Sequence, residues 1–277
     1  MTIASPATRA DRSIGLILPA YNEASRIDRT LRSISAYERQ RGVDWPVIVA
    51  NDGSSDDTCS VSESLAAELG LRLEVVSYPH RGKALTVRDA MLHAASRYDA
   101  DYLMMLDADD EITVDQLDHV AWSSDPRTIY IGRRVAEANG KVGTRATPVR
   151  RVMSAGMRLA SAVLLGLRFP DTQCGFKLFP RALVPELFGQ QRSAGWVFDA
   201  ELLVIANRVS RMPVVEVPVT WTPRGQSRVT TWAALTSALA ILDVAARYRA
   251  GRYRQIETRP SVAVAMARVD DPGASAG

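Results

Sequence analysis

Three short apolar runs, IGLIL (14–18), PVIVA (46–50) and YLMML (102–106), each end abruptly in a polar cluster: PAYNE, NDGSSDD and DADDEI. Continuous apolar runs of this length, bounded by turn signals, read as strands buried on both faces. Helical periodicity fills the gaps between them. Ile27, Leu31 and Ile34 mark one helix, and Val61, Leu65 and Leu69 a second, with Ser or Asp available to cap it. LRLEVVSY (71–78) reads as a further strand, residues 82–96 as a helix turning Leu85, Leu92 and Ala95 inward, and 113–122 as another helix. Strands and helices alternate to about residue 132, which predicts an α/β chain with a Rossmann-like, mostly parallel sheet flanked by helices. In such a sheet the strand ends share one edge, and ligands bind there. The three polar clusters are therefore expected to meet in one crevice.

The second half is less regular. Residues 148–166 read as a helix bearing Val152, Leu159, Val163 and Leu164, 171–179 as a loop entering a short strand, and 198–209 as a helix. An alternating strand follows at 214–221 and a last helix at 232–248. Residues 1–12 read as a flexible lead and 251–277 as a disordered tail. Between them, 13–250 is expected to be one domain, with a half of about 13–132 and a half of about 133–250. Its 34 basic and 31 acidic residues leave a net charge of +3, too little to argue for nucleic acid. The basic residues are uneven: Arg133, Arg134, Lys141, Arg145, Arg150, Arg151 and Arg158 crowd one region, and Arg247, Arg249, Arg252 and Arg254 another. Two cysteines, Cys59 and Cys174, make no disulfide framework and no metal spacing, so a reduced, cytoplasmic setting is the expectation. No stretch has the ~18 apolar residues of a membrane span; 232–248 comes nearest, broken by Asp243.

The acids after YLMML pose a physical problem. Asp107, Asp109, Asp110 and Glu111 fall within five positions. Two such charges ~4 Å apart repel by roughly 4 kcal/mol at an effective dielectric near 20. A solvated turn with helix-capping acids is one resolution. The other is a divalent cation, Mg²⁺ or Mn²⁺, held by Asp107 and Asp109, with water and a substrate phosphate filling its remaining positions. A nucleotide diphosphate is the natural donor of that phosphate.

LPAYNE, NDGSSDDT, RGKALTVR and LDADDEIT, in this order, resemble glycosyltransferase family 2. DTQCGFKLF, WVFDAELLVIA and VVEVPVTWTPRGQSRV resemble its dolichyl-phosphate glucosyltransferase branch and, more distantly, dolichyl-phosphate mannose synthase. The resemblance spans about residues 14–248. It implies a GT-A fold, with acceptor-side helices in the C-terminal half, and an inverting hexosyl transfer from a nucleotide-diphosphate sugar to a polyprenyl phosphate. UDP-glucose is favoured over GDP-mannose. It also implies roles. Pro19, Ala20, Tyr21 and Glu23 would hold the base and ribose, Asp52 would contact the base, and Lys83 would lie near the nucleotide. Asp107, Ala108 and Asp109 form the DxD motif, with Glu111 a third metal-shell side chain. Arg134 and Arg150 would grip an acceptor phosphate. Gly225, Ser227 and Arg228 match a loop that closes on the phosphates, although Arg228 stands where the family has Lys, which changes the donor geometry.

Asp199, Asp109 and Arg228 are the candidate catalytic side chains. For Asp199, in WVFDAE, a base or positioning role competes with a structural one at a helix start; Glu201 is the weaker alternative base. His80, His93 and His119 are assigned no function, Cys174 is read as packing, and Trp232 as an interfacial anchor or core. A second functional reading is a soluble family 2 enzyme acting on a small-molecule or saccharide hydroxyl. A third, of another class, is a nucleotidyltransferase or nucleotide-binding regulatory protein. The 232–248 helix, apolar and then basic, is open to two readings: a core-packing helix with a solvated end, or a helix in peripheral contact with the inner face of a membrane through Arg247, Arg249, Arg252 and Arg254.

Overall fold

The computed structural model describes residues 12–135, 148–222, 224 and 231–256. The leading segment and the far tail, on which expectations of flexibility were placed, lie outside them, except that Arg12 is described and stacks over Tyr102 and Trp122. The chain runs β1 (Ile14–Ala20), α1 (Ile27–Arg41), β2 (Val47–Asn51), α2 (Thr58–Leu69), β3 (Leu73–Ser77), α3 (Lys83–Arg97) and β4 (Tyr102–Leu106). It continues through β5 (Ile129–Val135), α4 (Pro148–Leu165), β6 (Phe176–Pro180), α5 (Val184–Gly189), α6 (Phe198–Leu203), β7 (Val214–Thr220) and α7 (Thr231–Arg249).

The strands form one sheet in the order β3-β2-β1-β4-β6-β5-β7. β1 pairs parallel with β2 and β4, β2 with β3, and β5 with β7, while β6 runs antiparallel to both its neighbours. The mostly parallel sheet flanked by helices is thus the architecture read from the alternation. The two halves read from the sequence share it, because β6 from the second half lies between β4 and β5. Alternate side chains feed two cores. Ile17, Ile48, Leu103 and Met105 join the layer that includes α3, α5 and α6; Leu16, Leu18, Val47 and Met104 join the layer that includes α1 and α2. Gly42 and Gly70, both left-handed, close α1 and α2.

Several local expectations are corrected. Residues 71–78 pair as a strand only over β3. The helix expected at 113–122 is a 3-10 helix, Val114–His119. α3 buries Ala84, Val87, Ala90, Met91, Ala94 and Ala95, leaving Leu85 and Leu92 at the boundary: its contact face is built of small residues that let the helix approach the sheet closely. The helix at 198–209 changes winding, with a π stretch at Val204–Val209. The helix read at 148–166 is α4, and its Leu159 and Val163 are 65% and 68% exposed. Cys174 is fully buried against Gly132, in keeping with packing, and burial pushes its thiol up to about 11.

The C-terminal end is also corrected. Glu201 of α6 is completely buried and accepts hydrogen bonds from Arg192 N (3.0 Å), Ser193 N (2.7 Å), Arg247 Nη1 (2.8 Å) and Tyr253 Oη (2.7 Å). Tyr253 and Ile256 are buried too. The ordered domain therefore reaches at least residue 256, and Arg247 is an internal ion-pair partner, not a headgroup contact. Among the described residues, no helix is long and apolar enough to cross a membrane.

Glu38, on the buried face of α1, accepts a hydrogen bond from Trp45 N at 3.1 Å. Burial, reinforced by Asp44, pushes its carboxyl up to about 7 against the Trp45 N–H. The folded protein thus holds a proton that the unfolded chain has released, and stability falls as pH rises from about 4.5 to about 7. Glu38→Gln is expected to flatten that slope. It should stabilise the protein at pH 8 by roughly 1–3 kcal/mol, at about 1.4 kcal/mol per tenfold change in proton affinity, with no gain at pH 4. Urea melts at the two pH values check this, and equal effects at both would refute it.

Candidate active site

The C-terminal ends of β1, β2, β4, β5 and β7 lie at one edge of the sheet, where β6 begins. After β1 the chain turns through Asn22, whose left-handed backbone (φ 53°) is held by Asn22 N donating to Ser54 Oγ and Ser55 N donating to Asn22 Oδ1. This brings the PAYNE and NDGSSDD clusters together. Glu23 is buried, and its carboxylate accepts from Arg26 Nη2 at 2.7 Å. Pro19 and Ala20 close the strand, and the Ala20 carbonyl accepts from Asp52 N.

Asp52 does not present an open carboxylate. Its Oδ1 accepts from Arg81 N (2.9 Å), Gly82 N (3.2 Å) and Thr86 Oγ1 (2.8 Å). Its Oδ2 accepts from Gly82 N (3.0 Å) and lies 2.9 Å from His80 Nδ1. It fixes the start of α3 and the loop before it. That loop stacks His80 on the half-exposed Tyr21, with ring centroids 4.2 Å apart. His80, given no role from the sequence, is thereby placed beside the segment that the resemblance assigns to the base. Only the preceding Tyr-Pro turn signal marked its loop.

The acid pair follows β4. Asp107 N donates to Gly175 O at 3.2 Å, and the Asp107 carboxylate pairs with Lys83 Nζ. Burial pulls this carboxyl upward, but Lys83, with Lys177 and Arg134 behind it, holds it below the usual carboxylate range. Asp109 goes the other way: burial and the charge of Asp107 push it up to about 6. Ala108 is buried and its carbonyl accepts from Thr30 Oγ1, so it serves the packing of α1. Two neighbouring carboxylates, one ionised and one destabilised by its partner's charge, fit a divalent cation of the Mg²⁺ or Mn²⁺ kind. Glu111 does not join them. Its Oε2 accepts from Trp221 Nε1 (2.8 Å) and its Oε1 from Arg224 N (3.2 Å), and among the described residues no three acids, histidines or cysteines gather to hold a metal. The expectation of a third metal-shell side chain is corrected accordingly: Glu111 clasps the turn after β7.

Beneath the pair, Lys177 of β6 is almost fully buried and lies 2.9 Å from Asp199 Oδ1. Burial raises the Asp199 carboxyl, opposed by Lys177 and Lys83. Asp199 sits in the first turn of α6, committed to this ion pair and shielded from solvent. Glu201, saturated by its four donors, is unavailable as a base. Lys177 went unassigned in the sequence although a signal existed: a lysine inside GFKLF, a strand of large apolar residues, must find a buried partner.

Arg134, at the end of β5, is held by Asp171 through Nε–H (2.7 Å) and Nη2–H (2.8 Å). Arg150 belongs to α4, but its side chain lies outside the described residues, as do Gly225, Ser227, Arg228 and the side chain of Trp232.

Gly175 is the tightest point of the site. A Cβ there would lie 2.1 Å from Asp107 Oδ2. Gly175→Ala is therefore expected to displace the Asp107 carboxylate and lower turnover by at least ~10-fold, since small misplacements of reacting geometry can cost up to ~10²-fold. A melting temperature within a few degrees of wild type would accompany it. Wild-type turnover in a folded Gly175→Ala protein would refute the packing account.

The model of glycosyl transferase family 2 matches residues 16–188. A dolichyl-phosphate beta-glucosyltransferase of Trichomonas vaginalis is 31% identical over 247 residues, covering 85% of this chain and 71% of the relative. One of Drosophila melanogaster is 33% identical over 261 residues, covering 87% and 77%. Among solved structures, the UDP complex of glucosyl-3-phosphoglycerate synthase from Mycobacterium tuberculosis superposes with a TM-score of 0.61 at 18% identity, covering 88% of this chain and 87% of that one. A complex of the same enzyme with Mn²⁺, UDP and glucosyl-3-phosphoglycerate gives a TM-score of 0.58 at 19% identity, covering 88% and 86%. The fold is shared at that distance, and the sequence match fixes the lineage: this chain belongs to glycosyltransferase family 2 and has its GT-A fold.

Proposed function

We propose that this glycosyltransferase moves glucose from UDP-glucose to a polyprenyl phosphate, inverting the anomeric carbon. The observation that carries this reading is the 31–33% identity, over most of the chain, to relatives named as dolichyl-phosphate beta-glucosyltransferases. The site supports the same acceptor class. An acceptor phosphate is already an anion and needs orientation, not deprotonation. Asp199, committed to Lys177, suits that acceptor better than a hydroxyl requiring a base.

In this mechanism a phosphate oxygen of the acceptor attacks the anomeric carbon in line. The bond from that carbon to the diphosphate breaks, and its electron pair leaves on UDP. Asp107 and Asp109 would hold Mg²⁺ or Mn²⁺, and the ion would supply neutralising charge for the leaving diphosphate. Lys83 adds a cation at the same edge and keeps Asp107 ionised. The Tyr21–His80 stack offers an aromatic face to the base, beside Pro19, Ala20 and Glu23, while Asp52 holds the loop that carries His80. Arg134 receives the acceptor phosphate, together with Arg150. By the resemblance, Arg228 belongs to the loop that would close on the phosphates.

The test is to incubate the protein with UDP-glucose or GDP-mannose, Mn²⁺ or Mg²⁺, and a short polyprenyl phosphate, and to weigh the products. Glucosyl polyprenyl phosphate and UDP are expected. Glucosylation of hydroxyl acceptors only would overturn the reading. Asp109→Ala is expected to lower turnover by at least ~10-fold, or about 1.4 kcal/mol of barrier; full activity of that variant in excess chelator would reject the metal assignment.

The acceptor's lipid chain calls for a docking face. Leu159 and Val163 of α4 and Leu239 and Leu242 of α7 are more than half exposed, and α4 packs on α7. Arg249 lies on the same side of α7 as Leu239 and Leu242, and Arg158, Arg252 and Arg254 are also exposed. Apolar side chains flanked by arginine fit an anionic lipid surface at the cytoplasmic face of a membrane. The protein is expected to pellet with anionic liposomes at low salt and to be released at high salt, as exposed charges are screened. Replacing Leu159, Val163, Leu239 and Leu242 by Ser is expected to abolish pelleting. Wild-type protein that stays in the supernatant at every salt and lipid composition would reject the docking face.

A further inference from the structure

We infer that Asp171 and Trp221 are positioning residues that together fix the plane and the free edge of the Arg134 guanidinium. The inference rests on the reading of Arg134 as the arginine that receives the acceptor phosphate. An arginine has five N–H donors in a rigid plane and grips phosphate best with two parallel bonds. Asp171 takes the side edge of that plane, accepting from Nε–H at 2.7 Å and Nη2–H at 2.8 Å, and also accepts from Arg134 N at 3.2 Å. The opposite edge, Nη1 with the second Nη2–H, makes no hydrogen bond among the described residues, although the side chain is 39% exposed. Two parallel donors are thus left for an incoming phosphate.

Trp221 fixes the plane from its face. The guanidinium carbon lies 5.8 Å from the Trp221 ring centroid, within cation–π range. The indole is itself restrained, because Trp221 Nε1 donates to Glu111 Oε2 at 2.8 Å, and Glu111 O accepts from Thr222 N at 2.9 Å. Glu111 N in turn donates to Asp109 Oδ1 at 3.2 Å. A continuous set of contacts therefore runs from the acid pair to the acceptor arginine, setting one relative to the other. Asp171 also counters a competing attraction. Asp107 lies within electrostatic reach of Arg134, and a guanidinium freed from Asp171 can turn toward it.

Steady-state kinetics with varied short polyprenyl phosphate, calorimetric affinity for UDP with Mn²⁺, and melting temperature are measured for Arg134→Gln, Asp171→Asn, Trp221→Leu, Trp221→Phe and the double variant Arg134→Gln/Asp171→Asn. Asp171→Asn and Trp221→Leu are expected to raise the acceptor KM at least ~10-fold, as loss of orientation does. Any loss of UDP affinity should be smaller than the rise in acceptor KM, because Trp221 reaches the acid pair only through Glu111 and Asp171 only through Arg134. Trp221→Phe keeps a ring over the guanidinium and should lose less than Trp221→Leu. The double variant is expected to be no worse than Arg134→Gln alone, since residues acting through one another are not additive. If Arg134→Gln raises the acceptor KM while folded Asp171→Asn and Trp221→Leu leave it at wild type, this inference is overturned and the acceptor reading stands. Strictly additive losses in the double variant, or a fall in melting temperature that alone accounts for the losses, also overturn it. If Arg134→Gln leaves the acceptor KM unchanged, the reading of Arg134 fails first and the inference falls with it.

Discussion

The site depends on keeping one carboxylate, Asp107, ionised at a place that does not favour charge. It follows a fully buried strand, and burial works against its negative form. Lys83 arrives from the first turn of α3 to oppose that penalty, and α3 begins where it does because Asp52 collects the N–H groups ahead of it. Lys177 contributes from below, itself balanced by Asp199. Gly175 leaves the room in which the carboxylate sits. Charges of alternating sign are thus stacked through the sheet, each making its neighbour tolerable in a poorly solvated place.

That arrangement explains the difference between the two acids of the DxD motif. Asp107 has a lysine partner and stays low; Asp109 has Asp107 as its neighbour and is pushed up. A pair poised in this way gains more from a divalent cation than two solvated acids would, since the repulsion between them is relieved on binding. Glu111 would dilute the effect if it joined them, and its commitment to Trp221 and Arg224 keeps it apart.

The sheet, its helices and the meeting of the polar clusters were legible because strand ends and apolar runs are local properties of the chain. The acid pair was legible for the same reason. Partners distant in sequence were not. Nothing near Glu111 announces Trp221, 110 residues away, and nothing near Asp199 announces Lys177 on a different element. The exposure of Leu159 and Val163 was hidden because periodicity marks an apolar face without saying what covers it. Tyr253 and Ile256 were hidden for the opposite reason: two isolated apolar residues carry no period, yet both are anchored in the core, Tyr253 through Glu201.

The reversed strand β6 has a consequence for how the molecule comes into being. It lies between β4 and β5, and its pairing with β4 joins Tyr102 to Pro180 and Leu106 to Phe176. Some seventy residues of intervening chain must be gathered before that register closes, and such distant pairings make for slow folding. Until it closes, β4 presents an unsatisfied apolar edge, the kind that recruits other chains. A nascent chain released after β4 would carry its acid pair on this open edge, without Gly175 beside it or Lys177 beneath. The edge that carries the acid pair is therefore a late product of folding, completed when the second half of the chain threads its strand into the first.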